Sequence, residues 1–276
     1  MADELERARK AIRELGKTLK TLSTDPPPRQ VHKLRTATRR VEAIAAVLVL
    51  VEKKASRRLL RSIEPVRKAA GGVRDMDVLM ANARKLARHS AGDSLARLLE
   101  HLEIARRQNA ELLQRALGRR RDTVRQHLKQ YSKLVRSALG ATTGSASADA
   151  LPSQPYEGFH SAATEVAGEL GEWPPLDAGN IHAFRLKVKQ LRYILQLSAD
   201  ADAVLVDALG NVQRRVGDWH DWQQLEEIAR EVLNAERDQA LLTRIAQTVR
   251  RKFDPALAAA NALRGKYLTM PFADGI

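Results

Sequence analysis

Val31-His32-Lys33-Leu34-Arg35-Thr36-Ala37-Thr38-Arg39-Arg40 and Ile181-His182-Ala183-Phe184-Arg185-Leu186-Lys187-Val188-Lys189-Gln190 are the same sentence written twice. Each runs apolar, His, any residue, apolar, Arg, and then a further cation four residues on. A helix turns about 100° per residue, so positions i, i+3 and i+7 fall on one narrow stripe. Each copy therefore points an imidazole and two cations the same way: His32, Arg35 and Arg39 in the first, His182, Arg185 and Lys189 in the second. A doubled stripe of fixed donors predicts a site for something anionic and extended.

The flanks repeat as well. Pro26-Pro27-Pro28 precedes the first basic stretch and Pro174-Pro175 the second. Further on, Val66-Arg67-Lys68-Ala69-Ala70-Gly71-Gly72-Val73-Arg74-Asp75 aligns with Val212-Gln213-Arg214-Arg215-Val216-Gly217-Asp218-Trp219-His220-Asp221. A repeated order of this kind predicts a duplicated helical unit, and such units pack as pseudo-symmetric bundles. The reading is one domain over 1–276, with a first repeat over 1–140, a connector over 141–157 and a second repeat over 158–276. The connector is assigned from Thr142-Thr143-Gly144-Ser145-Ala146-Ser147-Ala148 together with Pro152 and Pro155.

Elsewhere the chain is rich in Ala, Leu, Arg, Glu and Lys, with no strand alternation, so the fold class is all-α. Helices are expected near 3–22, 29–52, 54–70, 74–90, 94–139, 158–171, 179–199, 202–216, 219–234 and 237–267. Pro65 is expected to kink or trim the third. The two Gly-x-x-x-Asp segments are expected to be turns, with Arg74 and His220 opening the next helix, where free amides favour anions. Asp75 and Asp221 would cap that helix or orient an arginine.

At 276 residues and 44% hydrophobic composition, the chain can bury a real core. Its 47 Lys and Arg against 33 Asp and Glu give a net charge of +14, which points to a polyanionic partner or an acidic membrane surface. The lack of cysteine rules out disulfides and thiolate chemistry. The charged start from Met1 to Arg7 does not read as a secretion signal, and the longest apolar run, Ala43 to Val51, is too short to cross a bilayer. These features predict a cytoplasmic protein with no membrane partner.

The ordered set of motifs resembles the CHAD family, the conserved-histidine α-helical domain. The resemblance rests on His32-Lys33-Leu34-Arg35 with Arg39-Arg40, Gly71 with Arg74-Asp75-Met76-Asp77-Val78, His182 with Arg185, Lys189 and Leu191-Arg192-Tyr193, and Gly217 with Asp221. It extends from the first helix to about residue 268. It implies two helical bundles around a basic groove or pore that binds inorganic polyphosphate, association with polyphosphate granules, no catalysis and no cofactor. The polyphosphate contacts it suggests are His32, Lys33, Arg35, Arg39, Arg40, His182, Arg185, Lys189 and Arg192.

Side-chain chemistry agrees. Arginine offers a planar fork that bridges two phosphate oxygens, and lysine adds a mobile point charge. Lys68 and Arg214 hold equivalent places before the glycines and are expected as further donors, with Arg58, Arg61 and Arg74 as additional contacts. Arg40 and Arg192 have no matching partner, because Gln190 stands opposite Arg40 and Glu42 opposite Arg192. The runs Arg106-Arg107, Arg119-Arg120-Arg121 and Arg250-Arg251-Lys252 are expected on exposed helix faces. The two stripe histidines are expected to strengthen polyanion binding on acidification from pH 8 to 6.

Three other readings compete. Nucleic acid would be drawn by the same charge, but aromatics are only 4% of the chain, and Trp219 and Trp222 are expected in the core. A metal-dependent phosphohydrolase is suggested by His220-Asp221, with His182 and Asp238 or Asp254 as further ligands. Against it, Arg74 stands where His220 would recur, and the surrounding cations would repel a metal. A scaffold receiving an acidic helix is the third.

Overall fold

The computed structural model describes residues 2–47, 53–87, 92–140, 158–198 and 201–268. Among them are eight α-helices and no strand: α1 (Ala2–Thr21), α2 (Pro28–Val47), α3 (Lys53–Leu86), α4 (Asp93–Gly140), α5 (Gly158–Gly171), α6 (Ile181–Leu195), α7 (Ala203–Val232) and α8 (Gln239–Leu263). A short π-helical turn, Arg264–Leu268, follows α8. The all-α expectation holds. The assigned connector, 141–157, lies outside the described residues. No helix among those described is long and apolar enough to cross a membrane.

Local sequence explains the helix starts. Pro28 opens α2, where its fixed φ suits the first helical position and its missing N–H costs nothing. Before α6, the Asp177 carboxylate accepts from the backbone N–H groups of Gly179 and Asn180 at 2.8 and 2.9 Å. The Asp202 carboxylate caps α7 by accepting from the Val204 N–H at 2.8 Å.

Two expectations fail at helix interiors. α3 is not trimmed at Pro65 and continues through Gly71-Gly72, and α7 continues through Gly217, so the Gly-x-x-x-Asp segments are not turns. Asp75 and Asp221 consequently cap nothing, and Arg74 and His220 do not sit at a helix start. Glycine inside a helix costs about 1 kcal/mol relative to alanine, so its presence needs another cause. For Gly72 the cause is α4. A Cβ there would lie 2.2 Å from Asn109 Oδ1 and 2.9 Å from its Cγ. The Asn109 amide donates to Ala105 O at 2.8 Å, which fixes the side chain. Gly72→Ala is expected to lower unfolding free energy by about 1 to 3 kcal/mol, read by chemical denaturation, because either Asn109 or the α3/α4 spacing must yield.

The interior is shared by the two halves. The main apolar cluster takes Leu15 and Leu19 from α1, Leu34 and Ile44 from α2, Tyr131 from α4, Phe159 from α5, Phe184 from α6 and Leu209 from α7. A second cluster joins the far ends of α3 and α4 (Leu79, Leu98, Leu102) to α7 and α8 (Trp222, Leu225, Ile245). Trp219 and Trp222 are both buried, as expected. Between these clusters α2 packs on α6 and α3 on α7, which places the two basic stripes side by side.

One arginine expected on an exposed face is instead structural. Arg106 on α4 donates from Nε to the buried Asp77 carboxylate at 2.7 Å and from Nη2 to Pro26 O at 3.1 Å. Its burial follows from Asp77, which needs a cation once packing removes it from water. Lys252 likewise pairs with Asp218 at 2.5 Å.

Candidate functional site

The apolar positions of each stripe helix settle which way its cations face. Val31, Leu34 and Val41 on α2, and Ile181, Phe184, Val188 and Leu191 on α6, are buried in the main core. Arg35 and Arg39, and Arg185 and Lys189, are left half-buried at the seam between those helices.

The helix-interior glycines of α3 and α7 find their explanation here. A Cβ on Gly71 would lie 2.9 Å from Arg35 Nη1, and a Cβ on Gly217 2.7 Å from Arg185 Nη2. In each half, then, a stripe guanidinium lies against a glycine in the helix behind it. Arg35 Nη1 stands 3.6 Å from Asp75 Oδ1, and Arg185 Nε donates to Gln213 O at 3.1 Å. Asp75 and Asp221 thus face the arginines: Asp221 is the strongest opposite charge acting on Arg185. Arg192 extends the row, donating to Gln213 Oε1 at 3.1 Å and lying over Gly210.

The two stripes act on each other. Burial, followed by Arg35, Arg39 and Arg185, pushes the Lys189 ammonium down to about 7. Burial first and Asp221 second set the balance at Arg185, which is also lowered by Arg35. Arg39 is lowered by burial and offset by Glu42, whose Oε2 it meets at 3.2 Å. Cations from both halves are thus held close enough to disfavour one another's charge. Asp221 shows the same crowding from the other side, since burial, with Asp75 and Asp218 adding to it, raises it to about 6 despite Arg185 and Arg74.

The histidines behave differently from their expected role. His182 and His220 are in ring contact, with centroids 3.8 Å apart. Burial first, then His220, Arg185 and Lys189, push His182 down to about 4. His32 is lowered by burial, Arg74, Arg35 and Lys189. His220 is lowered by burial and by Arg185, so the surroundings disfavour the charged form of all three rings.

Two cavities flank this row. One, of about 620 Å³, has His32, Arg74 and Asp77 from the first half facing Arg185, Arg214 and Asp221 from the second. The other, of about 520 Å³, brings Arg39 and Lys189 together with Trp173, Leu186 and Tyr193.

Not every expected residue joins the row. Lys33 is exposed and lines neither cavity. Arg40 turns to α1 and meets Glu14 at 3.0 Å. Lys68 is exposed and pairs with Glu64 one turn back at 2.8 Å. Arg58 and Arg61 line a separate cavity between α3 and α4, with Arg120 and His127. What the sequence did not signal is Gln213, whose backbone and side-chain oxygens anchor two site arginines, and Arg67, which pairs with Glu42 at 2.5 Å behind Arg39.

Among the described residues no group of three or more His, Cys, Asp or Glu side chains is placed to hold a metal ion. Asp238, one nominated ligand, is engaged by Arg97 at 2.5 Å and by Ser94 on α4. Asp254 is exposed on α8.

Comparison with known proteins agrees with this architecture. The crystal structure of the CHAD domain from the plant Ricinus communis superposes with a TM-score of 0.67 at 17% sequence identity, covering 96% of this chain and 91% of that one. No curated protein matches the sequence. The CHAD domain family profile matches residues 6–230. The chain belongs to the CHAD domain family.

Proposed function

We propose that the protein binds inorganic polyphosphate, without turning it over, along a basic groove where the two stripes meet, and that this attaches it to polyphosphate granules in the cytoplasm. The observation that carries the reading is the meeting of Arg35 and Arg39 with Arg185 and Lys189, cations from opposite halves that depress one another's protonation. Such a cluster costs the free protein stability, and a flexible chain of phosphates would offset that cost at every position. Membership of a family known for polyphosphate binding supports the ligand.

Binding rather than hydrolysis is favoured by the companions of the histidine pair. His182 has Arg185 and Lys189 beside it and His220 has Arg185, so a metal ion there would meet like charge. Nucleic acid is the alternative reading, favoured by Trp173 and Tyr193 beside Arg39 and Lys189, which form a small stacking surface. Competition separates the two. Long-chain polyphosphate should displace labelled single-stranded DNA far more readily than DNA displaces polyphosphate at the same salt. The reverse order would overturn the proposal in favour of nucleic acid, and release of orthophosphate by the pure protein would overturn the non-catalytic part.

The glycine seats supply a prediction in which stability and binding move apart. In Gly71→Ala/Gly217→Ala each methyl group displaces the tip of a flexible arginine rather than backbone. Helix propensity then favours the variant by up to about 1 kcal/mol per site. Thermal melting is expected to show no loss of stability, while titration shows affinity for polyphosphate falling about tenfold as both guanidinium groups leave their seats. Unchanged affinity would mean that the seats do not matter.

A further inference from the structure

The cavity that holds Arg58 and Arg61 is unlike the central site. It has a volume of about 660 Å³ and lies between α3 and α4. From α3 come Lys54, Arg57 and Arg61, spaced i, i+3 and i+7, with Arg58 beside them. From α4 come Arg120, Thr123 and His127 at the same spacing. Each helix therefore aims one full stripe into the space between them. The central cavity contains Asp77, Asp218 and Asp221 among its cations, whereas no carboxylate lines this one. Among the described residues none of its Lys and Arg side chains is ion-paired, although Lys68 and Arg125 nearby on the same helices each hold an acid one turn away.

A basic helical face in water would leave its polar atoms hydrated, but here His127 Nδ1 is shut off from solvent and has no partner. Burial, followed by Arg58, lowers the imidazole's proton affinity. The ring thus sits at the wall of the cavity with a polar atom unanswered and a guanidinium beside it. An oxyanion in the cavity would accept from the guanidinium groups and from a protonated His127, and would neutralise the crowded charge.

This cavity is also distinct from the central site in direction. Sixteen residues separate Arg58 from Arg74 on α3, about 24 Å of rise and about 160° of rotation. The two positions face nearly opposite ways, so a short anion cannot touch both.

We propose that the α3/α4 cavity is a second binding site for phosphate-chain anions, built by Lys54, Arg57, Arg58, Arg61, Arg120 and His127 and separate from the central site. The choice of phosphate chains over other oxyanions rests on the proposed function, whereas the existence of an anion site here does not. One protein thereby offers two faces to a long polymer and a single face to each short one. Linking two contacts through one chain raises apparent affinity through effective concentration, so long chains are selected over short ones.

The test uses the full chain in about 150 mM salt, where exposed charges more than about 8 Å apart are screened. Tripolyphosphate is titrated calorimetrically into wild type, Arg57→Ala/Arg58→Ala/Arg61→Ala and Arg35→Glu/Arg185→Glu. All three arginines of the first variant are exposed, so folding is not at stake. Two binding events are expected in wild type. The triple variant should lose one and keep the other, and its preference for long-chain polyphosphate over tripolyphosphate should fall about tenfold. In the Arg35→Glu/Arg185→Glu background, tripolyphosphate should still shift the His127 imidazole resonances and raise its pKa. A triple variant with the wild-type isotherm, or a His127 signal blind to the ligand, would overturn the second site. Loss of nothing on Arg35→Glu/Arg185→Glu would overturn the central site and leave this one standing.

Discussion

Arg35→Glu/Arg185→Glu should abolish measurable polyphosphate binding at the central site while leaving the helical content unchanged. Each arginine reaches the seam from a helix whose other face is buried in the core, and the apolar contacts that hold the bundle remain in the variant. Charge-assisted hydrogen bonds contribute about 1.5 to 3 kcal/mol each, so losing two predicts a fall in affinity of roughly a hundredfold or more before repulsion is added. The substitution removes two of the charges that depress Lys189 but sets new carboxylates beside Asp75 and Asp221, so a modest loss of stability is expected with the fold retained. Circular dichroism and size-exclusion chromatography check the fold, and fluorescence titration with long-chain polyphosphate checks the binding. The slope of log affinity against log salt should also flatten, since fewer counterions are exchanged. A folded double variant that binds as wild type does would refute the central site.

The second large effect is a pH dependence that runs through Lys189 and Asp221. With Lys189 at about 7, the free protein at pH 8 carries it mostly neutral, whereas a bound polyanion keeps it protonated. Binding therefore takes up a proton, and affinity falls as pH rises above about 7. Asp221, at about 6, is ionised at neutral pH and competes for Arg185. As pH falls through 6 it is neutralised, Arg185 is released, and affinity rises again. Both groups act with the same sign, which predicts a gain of about tenfold between pH 8 and 6. Facing Lys189 are Arg35 and Arg39 of α2, Arg185 of α6 and Asp75 of α3, with the His32 and His182 imidazoles also within its field. Lys189→Met should flatten the upper limb and Asp221→Asn the lower. Lys189 also predicts that the free protein loses stability as pH falls from about 10.5 through about 7, because the unfolded chain holds that proton more tightly.

This response belongs to different residues from those the sequence suggests. A histidine on a basic stripe reads as the natural sensor, because its ordinary pKa is nearest neutrality. Burial and neighbouring cations push His182 to about 4 and leave it uncharged across the range, while the same forces bring a lysine down into it. Periodicity reveals which face a residue occupies, and the repeat of that pattern with its flanks makes the pairing of the stripes an expectation of the sequence. How far a face is buried once a second helix lies against it is a tertiary property. The glycines teach the same lesson. Local propensity reads Gly71-Gly72 and Gly217 as breaks, yet both lie within continuous helices because Arg35, Asn109 and Arg185 need the space a Cβ would take. Lys68 matched Arg214 by position, but Glu64 lies one turn from it and holds it on the surface. Arg58 and Arg61, expected as additional contacts of the same site from the second helix, lie instead at a separate cavity, because the turn of α3 sends them toward α4.

The sharing of both apolar clusters between the halves bears on how the chain could be cut or rewired. Residues 2–140 and 158–268 each supply side chains to the main cluster and to the second one, so neither portion keeps its interior when alone. Their association draws on buried area rather than on the peptide that joins them. A chain severed between 140 and 158 would then behave as a complementing pair, two inert fragments that recover a common core on mixing, and the seam where the two basic stripes meet would reappear with it. Such a split form would report the presence of one fragment to the other without any covalent tie.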